Sequence, residues 1–382
     1  MSDSQPKQSH RFWMLKYLVW LFAATLVLLF FVFPFLTSYA LKHGYYSTSM
    51  SRWLDVIQWL QMVAMHSFVY LWITFLGSCF ASFLNVVAWR VPRGRSILGS
   101  SHCPHCDAKL SFRDNIPIFG WLNNDGKCRG CAAPIAVRYL IVELLLGVTF
   151  LLLFVVEVVL GGQNLPLRPD LQNVGIEFVL FAPNWPLILT FAYHAALMCG
   201  LFTIAVIASE HKRIPLLVVC FAAVFLVAIA STWPHVIQVP WTAGIREVEQ
   251  WPVEGFSRTA LYTMAIGAGG GLIAGGIAWG ISLAGRAHIV AGAKEQGDGQ
   301  VDPMPVGSAI IVSFGLVGLA LGWQSVVWVL LIWCLCKLIF KRFSLTRLSA
   351  LLSNGSAVAM FATIVHVTLW RFQMPLNFWL NE

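Results

Sequence analysis

Apolar runs long enough to cross a bilayer recur along almost the whole chain, and they decide what it can fold into. They lie at about residues 14–41, 60–89, 139–161, 186–208, 214–232, 260–284, 306–322, 324–340 and 348–370. One crossing takes about 20 apolar residues. Inside hydrocarbon every backbone polar group must be paired within its own segment, so these runs read as helices. The expected fold is an all-α polytopic membrane protein with about nine transmembrane helices. Composition agrees: 58% of the 382 residues are hydrophobic and 11% are charged, against about 25% charged in soluble domains. The mean hydropathy is +0.74. A soluble enzyme, a disordered chain and a secreted disulfide scaffold are excluded. The 17 Trp suit membrane–water interfaces.

The first run could belong to a signal peptide, since Ser38-Tyr39-Ala40 loosely resembles a cleavage site. It exceeds the roughly 7–15 residues of such a segment, so an uncleaved first helix is expected. The net charge of +8 is carried by few charges, so no nucleic-acid partner is expected. Its placement is informative instead. The long polar stretch 90–138 holds Arg90, Arg93, Arg95, Lys109, Arg113, Lys127, Arg129 and Arg138, which points it to the cytoplasm. Counting outward puts the N-terminus and the His211-Lys212-Arg213 turn on the same side, and the C-terminus outside. Three parts follow: an N-terminal extension with the first helix (1–59), a region carrying the polar loop (60–147), and a helix bundle (148–382). Gly267, Gly271 and Gly275 recur within one apolar run. Such spacing suits close helix approach better than a phosphate cradle.

Four of the nine cysteines form two pairs in the loop, Cys103-Pro-His-Cys106 and Cys128-Arg-Gly-Cys131, with 21 residues between them. Two such knuckles can close a tetrahedral thiolate site around zinc. Two disulfides or four free thiols are the other readings, and disulfides are disfavoured in the cytoplasm. A zinc-ribbon-like loop would lend structure to a segment with little apolar core. His102 and His105 are substitute ligands.

The residues around the cysteines are specific. Ala81-Ser-Phe-Leu-Asn-Val-Val-Ala-Trp-Arg-Val-Pro92 resembles the GSFLNVVIYRLP stretch of type IV prepilin peptidases. Within it Ser82, Phe83, Asn85, Arg90 and Pro92 match, while Ala81 stands where the family has Gly. Asp114, Asn115 and Pro117 lie in a DNIP segment, and Arg138, Tyr139 and Glu143 in a run like RYxxVE. The resemblance covers about residues 76–147. It implies a membrane aspartic protease that cuts the leader of prepilins or pseudopilins at the cytoplasmic face of a bacterial inner membrane. It also implies possible methylation of the new N-terminus with S-adenosylmethionine. The substrate partner would be an apolar helix with a basic leader, held beside the lipid bilayer.

Such a protease needs two adjacent carboxylates sharing a proton, one activating water and one donating to the carbonyl. The family's IDLDHxxLPD pattern aligns with Ile207 through Pro215, which puts Ala208 at the first aspartate. The GxGDxK pattern, set twelve residues before Gly322-Trp323-Gln324, puts Ile310 at the second and Val312 at the lysine. Neither matched position has a carboxylate. Glu210 and Asp298 are the nearest substitutes, with Asp302 beside Pro303. Asp298 and Asp302 read as solvated loop charges, and Glu210 as part of an interfacial turn. His66, Glu143, Glu157, His194 and His366 are ionisable groups in or beside apolar runs. Glu157 is expected to snorkel outward, and none is assigned catalysis. The expectation is a prepilin-peptidase relative with a lost dyad. A silent assembly factor of pilus or type II secretion systems, a methyltransferase-only relative and an active peptidase using unmatched carboxylates are its rivals. A transporter is suggested by helix count alone.

Overall fold

The computed structural model describes residues 48–103, 105–166, 175–210, 212–238, 258–293, 304–343 and 354–373. The expected first helix at 14–41 and the carboxylates Asp298 and Asp302 lie outside them. Among the described residues the chain is helical, without named strands. Eight long helices carry it: α1 Thr48–Arg90, α2 Arg138–Phe154, α3 Trp185–Ser209, α4 Leu216–Thr232, α5 Arg258–Ala293, α6 Met304–Leu321, α7 Trp323–Phe343 and α8 Gly355–Leu369. They coincide with the other eight expected spans. Among the described residues, four stretches are long and apolar enough to cross a membrane: Trp59–Arg93, Arg138–Val159, Trp185–Ser209 and Ala260–Leu283. Four more apolar helices are shorter. The chain forms two compact units, Met1–Trp72 and Ile73–Glu382, and the boundary falls within α1.

Local chemistry sets several helix ends. The Asn184 side chain accepts from Leu187 N and caps α3, with Pro186 in its first turn. Asn354 caps α8 in the same way through Ser356 N. Pro215, in extended conformation, starts α4 because it cannot continue a preceding helix. α2 ends in a π-helical turn, Val155–Val159.

Unit Ile73–Glu382 is organised around α3 and α8. Ser356, Val358, Ala359, Ala362, Thr363 and His366 of α8 are fully or almost fully buried. α4 instead exposes Leu216, Leu217, Phe221 and Val224, as a lipid-facing helix should. α5 meets α6 through its glycines. A Cβ at Gly267 would strike the Gly318 carbonyl, and one at Gly271 would strike the Phe314 carbonyl. Lipid offers no hydrophobic drive between helices, so small residues that permit backbone contact hold such pairs. The glycine run is therefore a packing seam.

Candidate functional site

The loop between α1 and α2 is built from two copies of one turn. In the first, Cys103 N donates to Ala108 O (3.0 Å) and Asp107 N to Cys103 O (2.9 Å). In the second, Cys128 N donates to Ala133 O and Ala132 N to Cys128 O, both 2.9 Å. Asp107 and Ala132, each four residues after its first cysteine, share a left-handed φ of 55°. Single antiparallel bridges, His102 with Lys109 and Lys127 with Pro134, close the knuckles. The four sulfurs of Cys103, Cys106, Cys128 and Cys131 lie within 4.8 Å of one another and could hold a metal ion. Cys103 Sγ is 3.8 Å from Cys131 Sγ, and Cys106 Sγ is 3.9 Å from Cys128 Sγ. Backbone N–H groups of His105 and Cys106 directed at the Cys103 sulfur lower its pKa to about 6. The Ala108 N–H favours the Cys106 thiolate, but its sulfur neighbours outweigh that and push it up to about 12.

Around the knuckles the matched polar residues tie the loop to the helix ends. Asp114 Oδ2 accepts from Ser111 N (3.0 Å) and Ser111 Oγ (2.6 Å), and its Oδ1 from Asn124 Nδ2 (2.9 Å). Arg129, inside the second knuckle, lies 2.9 Å from the same oxygen. Burial opposes the charge on Asp114, but these hydrogen bonds and the guanidinium hold its carboxyl below the ordinary value. Glu143 of α2 accepts from Ile118 N at 2.7 Å, where Ile118 has a φ of +66°. Ser78 Oγ donates to the Glu143 carbonyl at 3.0 Å, and Ser82 also bonds the Glu143 carboxylate. Arg90 wraps the next segment, reaching Ser96 O, Ile97 O, Leu98 O and Ser100 O at 2.9–3.4 Å. Asn115 is exposed, Pro117 is buried, Pro92 sits in the turn Val91–Arg93, and Phe83 faces outward.

A cavity of about 760 Å³ opens between the helix ends and the loop. Asn85, Trp89, Arg90, Asn115, Tyr139 and Glu143 line it together with Cys103 and Cys128. Asn85 is buried, and neither side-chain polar atom has a protein partner. Both are available to a bound molecule.

The matched dyad positions look different. Ala208 is 3% exposed and Ile310 is 1% exposed. Asn354 Nδ2 donates to Ala205 O at 2.9 Å, and its neighbour Gly355 packs so closely on Ile310 that a Cβ there would strike the isoleucine side chain. The start of α8 thus bridges the two positions. Glu210, expected as part of a charged turn and as the nearest substitute for the first carboxylate, is held by two guanidinium groups. Its Oε2 lies 2.8 Å from Arg93 Nη2, and its Oε1 pairs with Arg138. Burial opposes its charge, but Arg93 and Arg138 keep its carboxyl below the ordinary range. Asp298 lies outside the described residues.

Sequence reasoning missed Asn124 and Arg129 as partners of Asp114, and missed the pairing of Glu157 with His194. The signal for Arg129 was its position inside a knuckle. Glu157 does not snorkel: it is fully buried, with Oε1 2.7 Å from His194 Nδ1. Snorkelling fails because the π-helical turn carries the residue inward against α3.

The profile of the Bacterial Peptidase A24 N-terminal domain matches residues 75–156. Over 76 residues the chain is 51% identical to a prepilin leader peptidase/N-methyltransferase of Myxococcus xanthus, covering 20% of this chain and 23% of the relative. A type 4 prepilin-like proteins leader peptide-processing enzyme of Escherichia coli is 41% identical over 95 residues, covering 20% and 35%. A prepilin leader peptidase/N-methyltransferase of Klebsiella pneumoniae is 39% identical over 123 residues, covering 30% and 52%. The chain thus spans between about a quarter and a half of these relatives' own lengths. No solved structure matches. The resemblance to prepilin leader peptidases is shown over the region that holds the cysteine loop, its anchors and α2.

Proposed function

We propose that this protein is a membrane-embedded relative of the prepilin leader peptidases that engages prepilin-type helices at its cysteine loop without cutting them. The observation that carries the reading is the pair of buried apolar residues, Ala208 and Ile310, at the matched aspartate positions. Aspartic proteolysis needs a water-accessible carboxylate pair, and removing one acid–base group typically costs about 10²–10⁴-fold. Glu210 is a poor substitute, because two guanidinium groups hold it ionised and occupy both oxygens. Its role in this reading is a clamp that joins the starts of the loop and of α2 to the end of α3. The loop faces the cytoplasm of the inner membrane, where its basic residues meet the positive-inside rule.

The cysteine site holds zinc in this proposal. A tetrahedral shell with Zn–S of about 2.3 Å has sulfur–sulfur edges of about 3.8 Å. Two of the pairs stand at 3.8 and 3.9 Å, and all four sulfurs lie within 4.8 Å of one another. Cys103, Cys106, Cys128 and Cys131 would be its ligands, and a closed four-thiolate site is structural. When bound, the ion supplies a cross-link between the two knuckles. Asp114 and Arg129 brace the second knuckle from outside.

A second reading has an observation of its own. The cavity beside the loop is large enough for a nucleoside-sized ligand, and Asn85 offers it a buried donor and acceptor. Methyl transfer from S-adenosylmethionine requires no aspartate dyad. The test is a leader-cleavage assay on purified protein with prepilins from its own genome, followed by a transfer assay with labelled S-adenosylmethionine. No cleavage with retained prepilin binding is the expected result. Efficient cleavage abolished by Glu210→Gln or Asp298→Asn would overturn the reading. Labelling of pre-cleaved pilin, lost in Asn85→Ala, would establish methyl transfer.

A further inference from the structure

One stretch of the cysteine loop does not stand clear of the helices but reaches back between them. The Ile118 N–H donates to Glu143 Oε2 of α2 at 2.7 Å, and Ser82 of α1 bonds the same carboxylate. Ser78 Oγ, one turn before Ser82, donates to the Glu143 carbonyl. Helix geometry turns these contacts into a depth. The apolar stretch Arg138–Val159 has 22 residues. At about 1.5 Å per residue it is about 33 Å long, against a hydrocarbon core of about 30 Å. Arg138 therefore marks the edge of the core, and Glu143 starts about 7.5 Å further in. Ser82 stands about 12 Å back from Arg90 along α1. Ile118 is thus drawn to the level where lipid headgroups give way to acyl chains.

The backbone there suits that depth, where polar groups must be paired within the protein. The N–H groups of Ile118, Phe119, Gly120 and Leu122 go to Glu143 Oε2 (2.7 Å), Pro117 O (2.6 Å), Ile116 O (2.7 Å) and Ile118 O (3.1 Å). The bond from Phe119 to Pro117 closes a γ-turn centred on Ile118, with φ 66° and ψ −56°. That conformation is rare for a β-branched residue and persists only where the surroundings hold it. Glu143 and the buried Pro117 do so here. The short helix Phe119–Asn123 follows. Its Gly120 side rests on the turn Phe112–Asn115, where a Cβ would strike the Asp114 carbonyl. Trp121 Nε1 donates to Ile135 O at 3.1 Å, and Ile116, Gly120 and Trp121 line the cavity. Phe119 and Leu122, three residues apart and so neighbours on one face, remain 55% and 50% exposed.

We propose that the segment Pro117–Asn123 is an interfacial wedge, its Phe119–Leu122 face lying among lipid acyl chains while its other side walls the cavity. Ile141 and Leu144, on either side of Glu143 in α2, are exposed at the same level, as lipid-facing residues are. Arg113 and Lys127, in the turns before and after the short helix, are also exposed, and basic groups there suit anionic headgroups. Short amphipathic segments lie in this boundary with their apolar face about 5–10 Å deep, which is the depth that Glu143 sets. Depth and flanking charge together favour lipid over a protein partner as the cover of this face. The inference needs only that α1 and α2 cross the bilayer, and it stands whether or not the chain engages or cuts prepilins.

The test places the wild-type chain in nanodiscs whose lipid carries a diazirine near the headgroup end of an acyl chain. After irradiation, labelled residues are mapped by mass spectrometry. Phe119 and Leu122 should be labelled as Ile141 and Leu144 are, with no label on Lys109 of the first knuckle. Label on Ile141 and Leu144 without label on residues 117–123 overturns the proposal. Equal label on Lys109 also overturns it, because the whole loop would then lie on lipid. A second measurement reads the same contact from the protein side, with a benzophenone amino acid at position 119. Lipid adducts there support the wedge, and an adduct to a second protein chain in their place overturns it.

Discussion

Residues 90–138 and the facing ends of α3, α6 and α8 make a useful pair, because one region is specified atom by atom and the other by volume. In and beside the loop several matched residues make directional contacts: Asp114 with Ser111, Asn124 and Arg129, Glu143 of α2 with Ile118, Arg90 with four carbonyls. At the matched dyad positions Ala208 and Ile310 fill space, with Ile310 lodged against Gly355. A directional contact tolerates no change of residue type, so a polar loop keeps a readable signature. A buried apolar position tolerates many residues of similar size, so nothing polar marks the place. Glu210 stands at the seam, tying the loop region to the end of α3.

The largest expected effect tests whether the loop depends on its metal. Cys103→Ser should lose the bound ion and unfold the loop, since structural zinc sites contribute about 10–16 kcal/mol to the folding of small domains. Metal analysis and limited proteolysis would read this, and a protease-resistant loop without metal would remove the ion from the comparison. Next comes the apolar side. Ile310→Asp buries a carboxylate against Gly355 and should cost about 3 kcal/mol or more. Thermal unfolding in detergent checks it, and an unchanged midpoint would mean the position is solvated and open to catalysis after all.

Glu143→Gln replaces a charged acceptor of the Ile118 N–H by a neutral one. The expected loss is about 1.5–3 kcal/mol, seen as faster amide exchange at Ile118 and Phe119. Equal exchange rates in the two proteins would detach α2 from the loop. The smallest effect belongs to the seam. The Glu210 carboxyl is held below its ordinary value, so its contribution is full above the unfolded-state value of about 4.3. That contribution declines as pH falls through the folded value, because the unfolded chain then binds more protons than the native one. Loop proteolysis should therefore rise in acid for wild type, while Glu210→Gln should be more susceptible already at neutral pH, by about 1–2 kcal/mol. A variant that matches wild type at neutral pH would show the clamp to be idle.

Much of the fold was legible because helix length and hydropathy are local properties. The eight described helices follow the apolar runs, and the glycine spacing at 267, 271 and 275 already described a close helix pair. The two knuckles were legible because their ligands are neighbours in sequence. The pairing of Glu157 with His194 was not, since 37 residues separate them and each stood alone in an apolar run. The reading of Glu157 as a snorkelling residue failed because no local pattern reveals a π-helical turn. The role of Glu210 was hidden for the same reason: Arg93 lies 117 residues away.

By itself, the sequence determined that this chain belongs in a membrane, that its polar loop carries two cysteine pairs, and that positions 208 and 310 carry no acid. These depend on residue identity and short spacing, which no packing can alter. Only the tertiary structure decided which buried polar groups meet. Burial removes water as a partner, so a carboxylate or imidazole must find another from whatever helix packs against it. Helix packing brought Arg93 and Arg138 to Glu210, Gly355 to Ile310, and His194 to Glu157.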